Sequence, residues 1–291
     1  MAEGHNDRHC NPCGHSLGAL MGLRSQRRNC RRWKECPACR VIIATAFLMT
    51  IEHSAPAMAY RPFISTDAAV ANAKEIELEF GYFTLKRADK DNSFIVPQVV
   101  VNYGVMQDWE VVGEFDVEKS PDAVRLVNPG LFLKGVLKEG ILQQQEGMSV
   151  AVEAGPLLPS TAPKQNGCGF EGIGILSGEL QRFMYHINLG GGVDRHETNP
   201  FVFWGVIGEL SLLPSLRLVG EVSGESIRKE IPDNSVLLGL ILQLSSSSIF
   251  LDGGIRKGIS NGAPDWLFTT GLTWSFSLPA VTNASSLGGR P

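Results

Sequence analysis

Several features are scarce in this chain, and each scarcity excludes a class of protein. Of six cysteines, five precede residue 40 and only Cys168 follows, so disulfides do not hold the body together. The one strongly apolar run near the front, VIIATAFLMTI at residues 41–51, falls short of the ~20 residues a membrane-spanning helix needs. Beyond residue 74 there is no convincing 3.6-residue periodicity, which leaves strands as the building material. Catalytic signatures are equally thin. The body holds two histidines, His186 and His196, neither inside a motif. LGGGVD lacks the lysine and following helix that cradle a phosphate, and its glycines suit bending of a sheet instead. No cofactor is expected. The body carries a net charge of −8 behind a front end of +4, a distribution that indicates a targeting segment and not a nucleic-acid partner.

What the front end does contain is a three-part leader. RSQRRNCRRWKECPACR is dense in arginine, VIIATAFLMTI follows as an apolar core, and Ala57-Met58-Ala59 provides a small-x-small cleavage site ahead of Tyr60. Residues 1–59 are therefore expected to be a basic N-terminal extension and signal peptide. The positive region is long, and a start at Met21 would bring it to ordinary length. Within it, Cys10, Cys13, Cys36 and Cys39 form two Cys-x-x-Cys pairs that could hold zinc. Their gap exceeds the usual ~15–20 residues, and a folded metal site would obstruct export directly before an apolar signal. Cysteines of a discarded leader are the preferred reading, with the zinc set as its alternative.

The body alternates with period two. KEIELEFGYF places Glu75, Glu77 and Glu79 opposite Ile76, Leu78 and Phe80, and WEVVGEFDVE places Glu110, Glu114 and Asp116 opposite Trp109, Val111 and Phe115. About twelve such segments are predicted, near 74–86, 93–105, 109–118, 124–137, 147–157, 172–181, 183–194, 200–211, 215–226, 234–244, 248–257 and 266–276.

A soluble sandwich would turn the apolar face inward, whereas a membrane barrel turns it to lipid and its polar face to the lumen. Three details favour the barrel. Strands of about 10–11 residues, tilted about 40°, cover roughly the height of a lipid-facing band. Trp109, Trp204, Trp266, Trp274 and Phe276 stand near strand ends, where an interfacial girdle would place them. Tight turns at 106–108 and 213–215 alternate with longer polar connections at 87–92, 159–171, 227–233 and 258–265. The predicted fold class is all-β, a transmembrane antiparallel up-and-down barrel of about twelve strands over 60–276. A flexible tail follows at 277–291. By parity Lys134, Arg217 and Arg256, with Glu75, Glu77, Glu79, Glu110, Glu114, Asp116, Glu153, Glu221 and Asp252, all face the lumen.

LDGGIRKGISNGAPDWLFTTGLTWSF resembles the closing hairpin of the bacterial outer-membrane family named for the meta-pathway of phenol degradation. RPFISTDAAVANAKEIELEFGYF is similar to that family's mature start, and YGVMQDWEVVGEF to one of its hairpins. The resemblance covers residues 60–276. It implies a bacterial outer-membrane location, insertion by the barrel-assembly machinery, contact with outer-membrane lipid and passage of small hydrophobic or aromatic solutes. It carries no catalytic residues. The fifteen residues after Phe276 depart from the usual terminal aromatic.

Two expectations for the lumen stand side by side. The carboxylates make a cation-preferring path, or they pair with Lys134, Arg217 and Arg256 and plug a narrow barrel. An outer-membrane enzyme using His186 or His196, and a soluble secreted β-protein, are the remaining alternatives. Cys168, in the NGCGFEG loop, is expected to be incidental.

Overall fold

Period-two alternation converts directly into pleated strands whose side chains point to opposite faces. The computed structural model describes residues 61–88, 91–163, 165–244 and 248–278. The leader with its four paired cysteines, and the tail beyond 278, lie outside the described residues. Among the described residues there are twelve strands: β1 (Glu75–Ala88), β2 (Asp91–Met106), β3 (Trp109–Lys119), β4 (Val124–Lys138), β5 (Ser149–Leu157), β6 (Gly169–Leu180), β7 (Phe183–Val193), β8 (Pro200–Leu213), β9 (Leu216–Ile227), β10 (Asp233–Gln243), β11 (Ile249–Gly258) and β12 (Trp266–Ser277). Each pairs antiparallel with its chain neighbours, and β1 pairs with β12 from Glu75↔Ser277 to Arg87↔Trp266, closing the barrel. No strand edge is left open. Pro97, with no N–H to give a ladder, sits inside the register shift between Ile95 and Gln98.

The exterior decides between lipid and water. On β10, Val236, Leu238, Leu240 and Leu242 point outward and are 38–62% exposed, while Leu237 and Ile241 between them are 1% exposed. The outward row of β8, Val202, Trp204, Val206 and Leu210, is likewise exposed. A soluble protein does not present such a continuous apolar wall. A closed barrel satisfies every backbone group internally, which is what a bilayer demands. The apolar wall therefore faces lipid, and the soluble reading falls.

One mouth of the barrel carries three two-residue connections, at Gln107-Asp108, Gln181-Arg182 and Pro214-Ser215, together with one long connection at 139–148. The opposite mouth carries longer connections at 158–168, 194–199, 228–232 and 259–265. Residues 61–74 precede β1 and rise from the tight-turn mouth into the lumen. Lys74 N–H donates to Gly104 O (2.7 Å) at the rim, while Arg61, Ser65, Asp67 and Ala68 are buried. The barrel is filled by its own chain.

Candidate functional site: a lumen crossed by residues 61–74

All twelve charged residues predicted for the lumen lie on the barrel's inner face. Two ion pairs join members of this set, and a third joins Arg217 to Glu209, a lumen carboxylate outside the predicted set. Lys134 Nζ stands 3.4 Å from Glu110 Oε1, Arg217 Nη1 donates to Glu209 Oε2 at 2.6 Å, and Arg256 donates to Glu221. Arg256 also reaches Ser223 and Ser235, both at 3.0 Å. The carboxylates of β1 are satisfied differently. Glu75 accepts from Asn72 Nδ2 (2.6 Å), Glu77 from Ser275 Oγ (2.8 Å) and Glu79 from Asn102 Nδ2 (3.1 Å). Asp116 accepts from Asn128 Nδ2 at 3.1 Å.

Residues 61–74 are irregular because most of their bonded N–H groups find partners on the wall; Ala69 N–H, which donates to Asp67 Oδ1 at 2.6 Å, stays within the segment. The N–H groups of Ile64 and Ser65 donate to the two oxygens of Glu221 (3.1 and 2.8 Å). Thr66 N–H donates to Asn188 Oδ1, whose amide returns a bond to Thr66 O (3.1 and 2.7 Å). Ala68 N–H donates to Ser177 Oγ (3.0 Å), and Ala71 N–H to Glu110 Oε2 (2.6 Å). The three bonds to Glu221 and Glu110 have carboxylate acceptors, and charge-assisted bonds are the strong ones. Arg61 contributes a fourth lumen cation, absent from the sequence-based set. It donates to Gln98 and to Thr269 Oγ1 (2.7 Å), and its Nε lies 3.5 Å from Asp252 Oδ2. Glycines on the wall make the close approach feasible. A Cβ on Gly205 would fall 1.8 Å from Ser65 Oγ, and one on Gly104 would fall 2.0 Å from Asn72 O. The lumen is thus occupied by a chain segment that periodicity did not reveal, while only Glu110 and Glu221 of the predicted carboxylates pair with Lys134 and Arg256.

The lumen is also less polar than predicted. Val112, Phe132, Leu157, Phe201 and Phe203 form an inward-facing apolar cluster. Phe63 of the crossing segment packs on a second cluster, Val219, Leu237, Ile241 and Phe250. On β8 both faces are apolar, so alternation gave no sign of which residues turn inward.

His186 is fully buried, with Nδ1 2.8 Å from Ser177 Oγ and Nε2 3.4 Å from Glu209 Oε1. The three types are those of a hydrolase triad, but Ser177 has no exposed surface and its hydroxyl accepts the Ala68 N–H. No substrate reaches it while the segment is seated, and the group acts as an anchor. His196 lies in the loop 194–199, 3.8 Å from Glu197. Cys168 is a free, exposed loop thiol.

Two cavities flank the blocked zone and share no lining residue. The larger, about 600 Å³, opens toward the long-loop mouth, with residues 61 and 63–66 as part of its lining. Nine carboxylates and three cationic side chains line it. Of those cations, Arg61 and Lys134 are engaged with Asp252 and Glu110. The third, Arg195, reaches from the 194–199 loop to the carbonyls of Leu158 (2.7 Å) and Pro129 (2.8 Å). Burial draws its guanidinium below the ordinary value, while Glu114, Glu171 and Glu225 hold it up. The smaller cavity, about 220 Å³, lies at the tight-turn mouth beside Glu209, Arg217 and Phe250.

The sequence matches no protein-family model and no curated protein. Among solved structures the chain is similar to the NanC porin, with a TM-score of 0.50 and 9% identity over 70% of this chain and 100% of that one. It is also similar to a loop-deletion form of OmpT, an outer membrane protein of Vibrio cholerae, with a TM-score of 0.38 and 11% identity over 69% of this chain and 98% of that one. At 9% identity the likeness to NanC speaks for the fold alone. Together with the apolar exterior, the fold defines the class: a bacterial outer-membrane β-barrel.

Proposed function

We propose that this protein is an outer-membrane channel for small solutes, held shut here by residues 61–74 and cation-preferring when open. One observation carries the reading. The chain that crosses between the two cavities is an irregular segment, with apolar contact at Phe63 and Ala68, whose backbone is tied to the wall through polar bonds. Such bonds can be exchanged for water one by one, so the segment can leave without unfolding the barrel. The carboxylate excess along the larger cavity would favour cations by the same electrostatics that rings of Asp and Glu use in other channels. The inward phenylalanines, and the resemblance to the meta-pathway transporters, support an apolar component in the solute.

Planar-bilayer recording under a salt gradient tests this. The full-length protein should give infrequent openings whose reversal potential lies on the cation side. Anion preference, or a complete lack of current even when the segment's anchors are removed, would sink the proposal.

A further inference from the structure

The larger cavity combines two chemistries that a simple aqueous pore does not need. Its wall interleaves carboxylates with apolar side chains at adjacent ladder positions. Phe203 pairs with Glu225 across β8 and β9, Ile173 pairs with Glu153 across β5 and β6, and Glu114 follows Val112 by two residues on the inner face of β3. Its volume of about 600 Å³ falls within the range of small-molecule sites, about 300–1,000 Å³.

The carboxylates there are short of partners. Glu114, Glu153, Glu171 and Glu225 make no hydrogen bond or close ion pair among the described residues, in contrast to Glu110, Glu209 and Glu221 below them. Arg195 and Lys134 act on the four only at longer range, two cations against four carboxylates. Asp194 is 8% exposed and lines the same cavity. Its Oδ1 accepts the Asn199 N–H at 2.7 Å, but its Oδ2 has no partner. A buried carboxylate oxygen without a donor is costly, and a ligand that supplies positive charge removes that cost.

Resting on the channel reading above, we propose that this vestibule is a binding site for organic cations with an apolar body, such as aryl- or alkylammonium ions. The ammonium group is held among Glu114, Glu153, Glu171 and Glu225, and the body lies against Phe132, Phe201 and Phe203. An inorganic cation would leave the phenylalanine wall unused. A neutral or anionic aromatic would leave the carboxylates unpaired or repelled. Aromatic faces add to the attraction, because a cation over a ring is favoured by the ring quadrupole.

The test is calorimetric titration of the full-length protein in detergent micelles with 2-phenylethylammonium, against 2-phenylethanol, phenylacetate and Ca²⁺. The expected result is saturable binding of the ammonium ion, with the alcohol and the acid at least about tenfold weaker. Phe203→Ala and Glu171→Gln should each weaken it about tenfold. Glu225→Gln serves as the second neutralisation if Glu171→Gln loses the heat-modifiable gel migration of a folded barrel. Equal binding of 2-phenylethanol would reduce the site to an apolar pocket and overturn the proposal. So would Ca²⁺ binding that 2-phenylethylammonium cannot displace, since it would make this an inorganic-cation site. Calorimetry reads the vestibule without any passage of solute. Binding without current would therefore retain this site and sink the channel, and current without binding would do the reverse.

Discussion

Replacing Arg61 with Ala should raise the open probability of the channel about ten- to a hundredfold in single-channel recording. Arg61 ties the far end of the crossing segment to three strands, through Gln98 on β2, Asp252 on β11 and Thr269 on β12. A hydrogen bond from a charged group contributes about 1.5–3 kcal/mol, and each 1.4 kcal/mol changes a population about tenfold. Truncation also leaves Asp252 buried beside an occupied lumen, a cost that only the seated state bears. Wall contacts between strands are untouched, so the temperature at which the folded gel band converts to the unfolded one should stay near that of the parent. A leucine at Gly205 should act in the same direction by sterics alone, since a Cβ there already lies 1.8 Å from Ser65 Oγ.

The converse experiment fixes the segment in place. A Cβ on Gly205 would stand 3.0 Å from Ser65 Cβ, short of the about 3.5–4.5 Å that a disulfide spans, so the irregular segment must yield by about an ångström for the bond to form. Ser65→Cys with Gly205→Cys, in a Cys168→Ser background, should therefore be silent when oxidised and recover openings on reduction. If the oxidised protein conducts as the reduced one does, solute does not follow the path that residues 61–74 block, and the segment is not the gate.

Much of this architecture was legible in the residues, for a physical reason. Where one strand face meets lipid and the other meets polar groups, alternation marks both the strand and its orientation. The twelve strands accordingly lie within three residues of their predicted ends, and the charges of β1 and β3 fall inside as parity required. Two features were not legible. In PFVFWGVIGEL of β8, Phe201, Phe203 and Ile207 turn inward while Val202, Trp204 and Val206 turn outward, so both faces read alike. RPFISTDAAVANA has no period at all, because its conformation is set by partners on other strands. Glu221 lies 156 residues from Ser65, and Thr269 lies 208 from Arg61. Those partners come together only after closure, and no local pattern encodes them. The one sequence hint was the arginine at position 61, a cation standing ahead of an acidic first strand.

Lys134→Met should produce the largest loss of stability, about 3–5 kcal/mol, read as a fall in the denaturant midpoint and in the gel-conversion temperature. Lys134 is 1% exposed and sits in register with a carboxylate on each side, Glu110 on β3 and Glu153 on β5. Its ammonium lies 3.4 Å from Glu110 and 3.3 Å from Thr66 Oγ1, so it ties β3 and β4 to the crossing segment. Methionine fills a similar volume, so the loss measures charge and not a cavity. What remains is two buried carboxylates on either side of an apolar side chain, with no cation between them. Adding Glu110→Gln to Lys134→Met should then recover much of the loss, because the pair is coupled and the costs of its members do not add. An unchanged midpoint in the single variant, or simple additivity in the double, would show that the pair is not buried as described. The gating consequence separates from the stability consequence. Arg61→Ala should open a barrel of parental stability, whereas Lys134→Met should weaken the wall itself, and finding both effects in both variants would mean that the segment is part of the fold and not a gate within it.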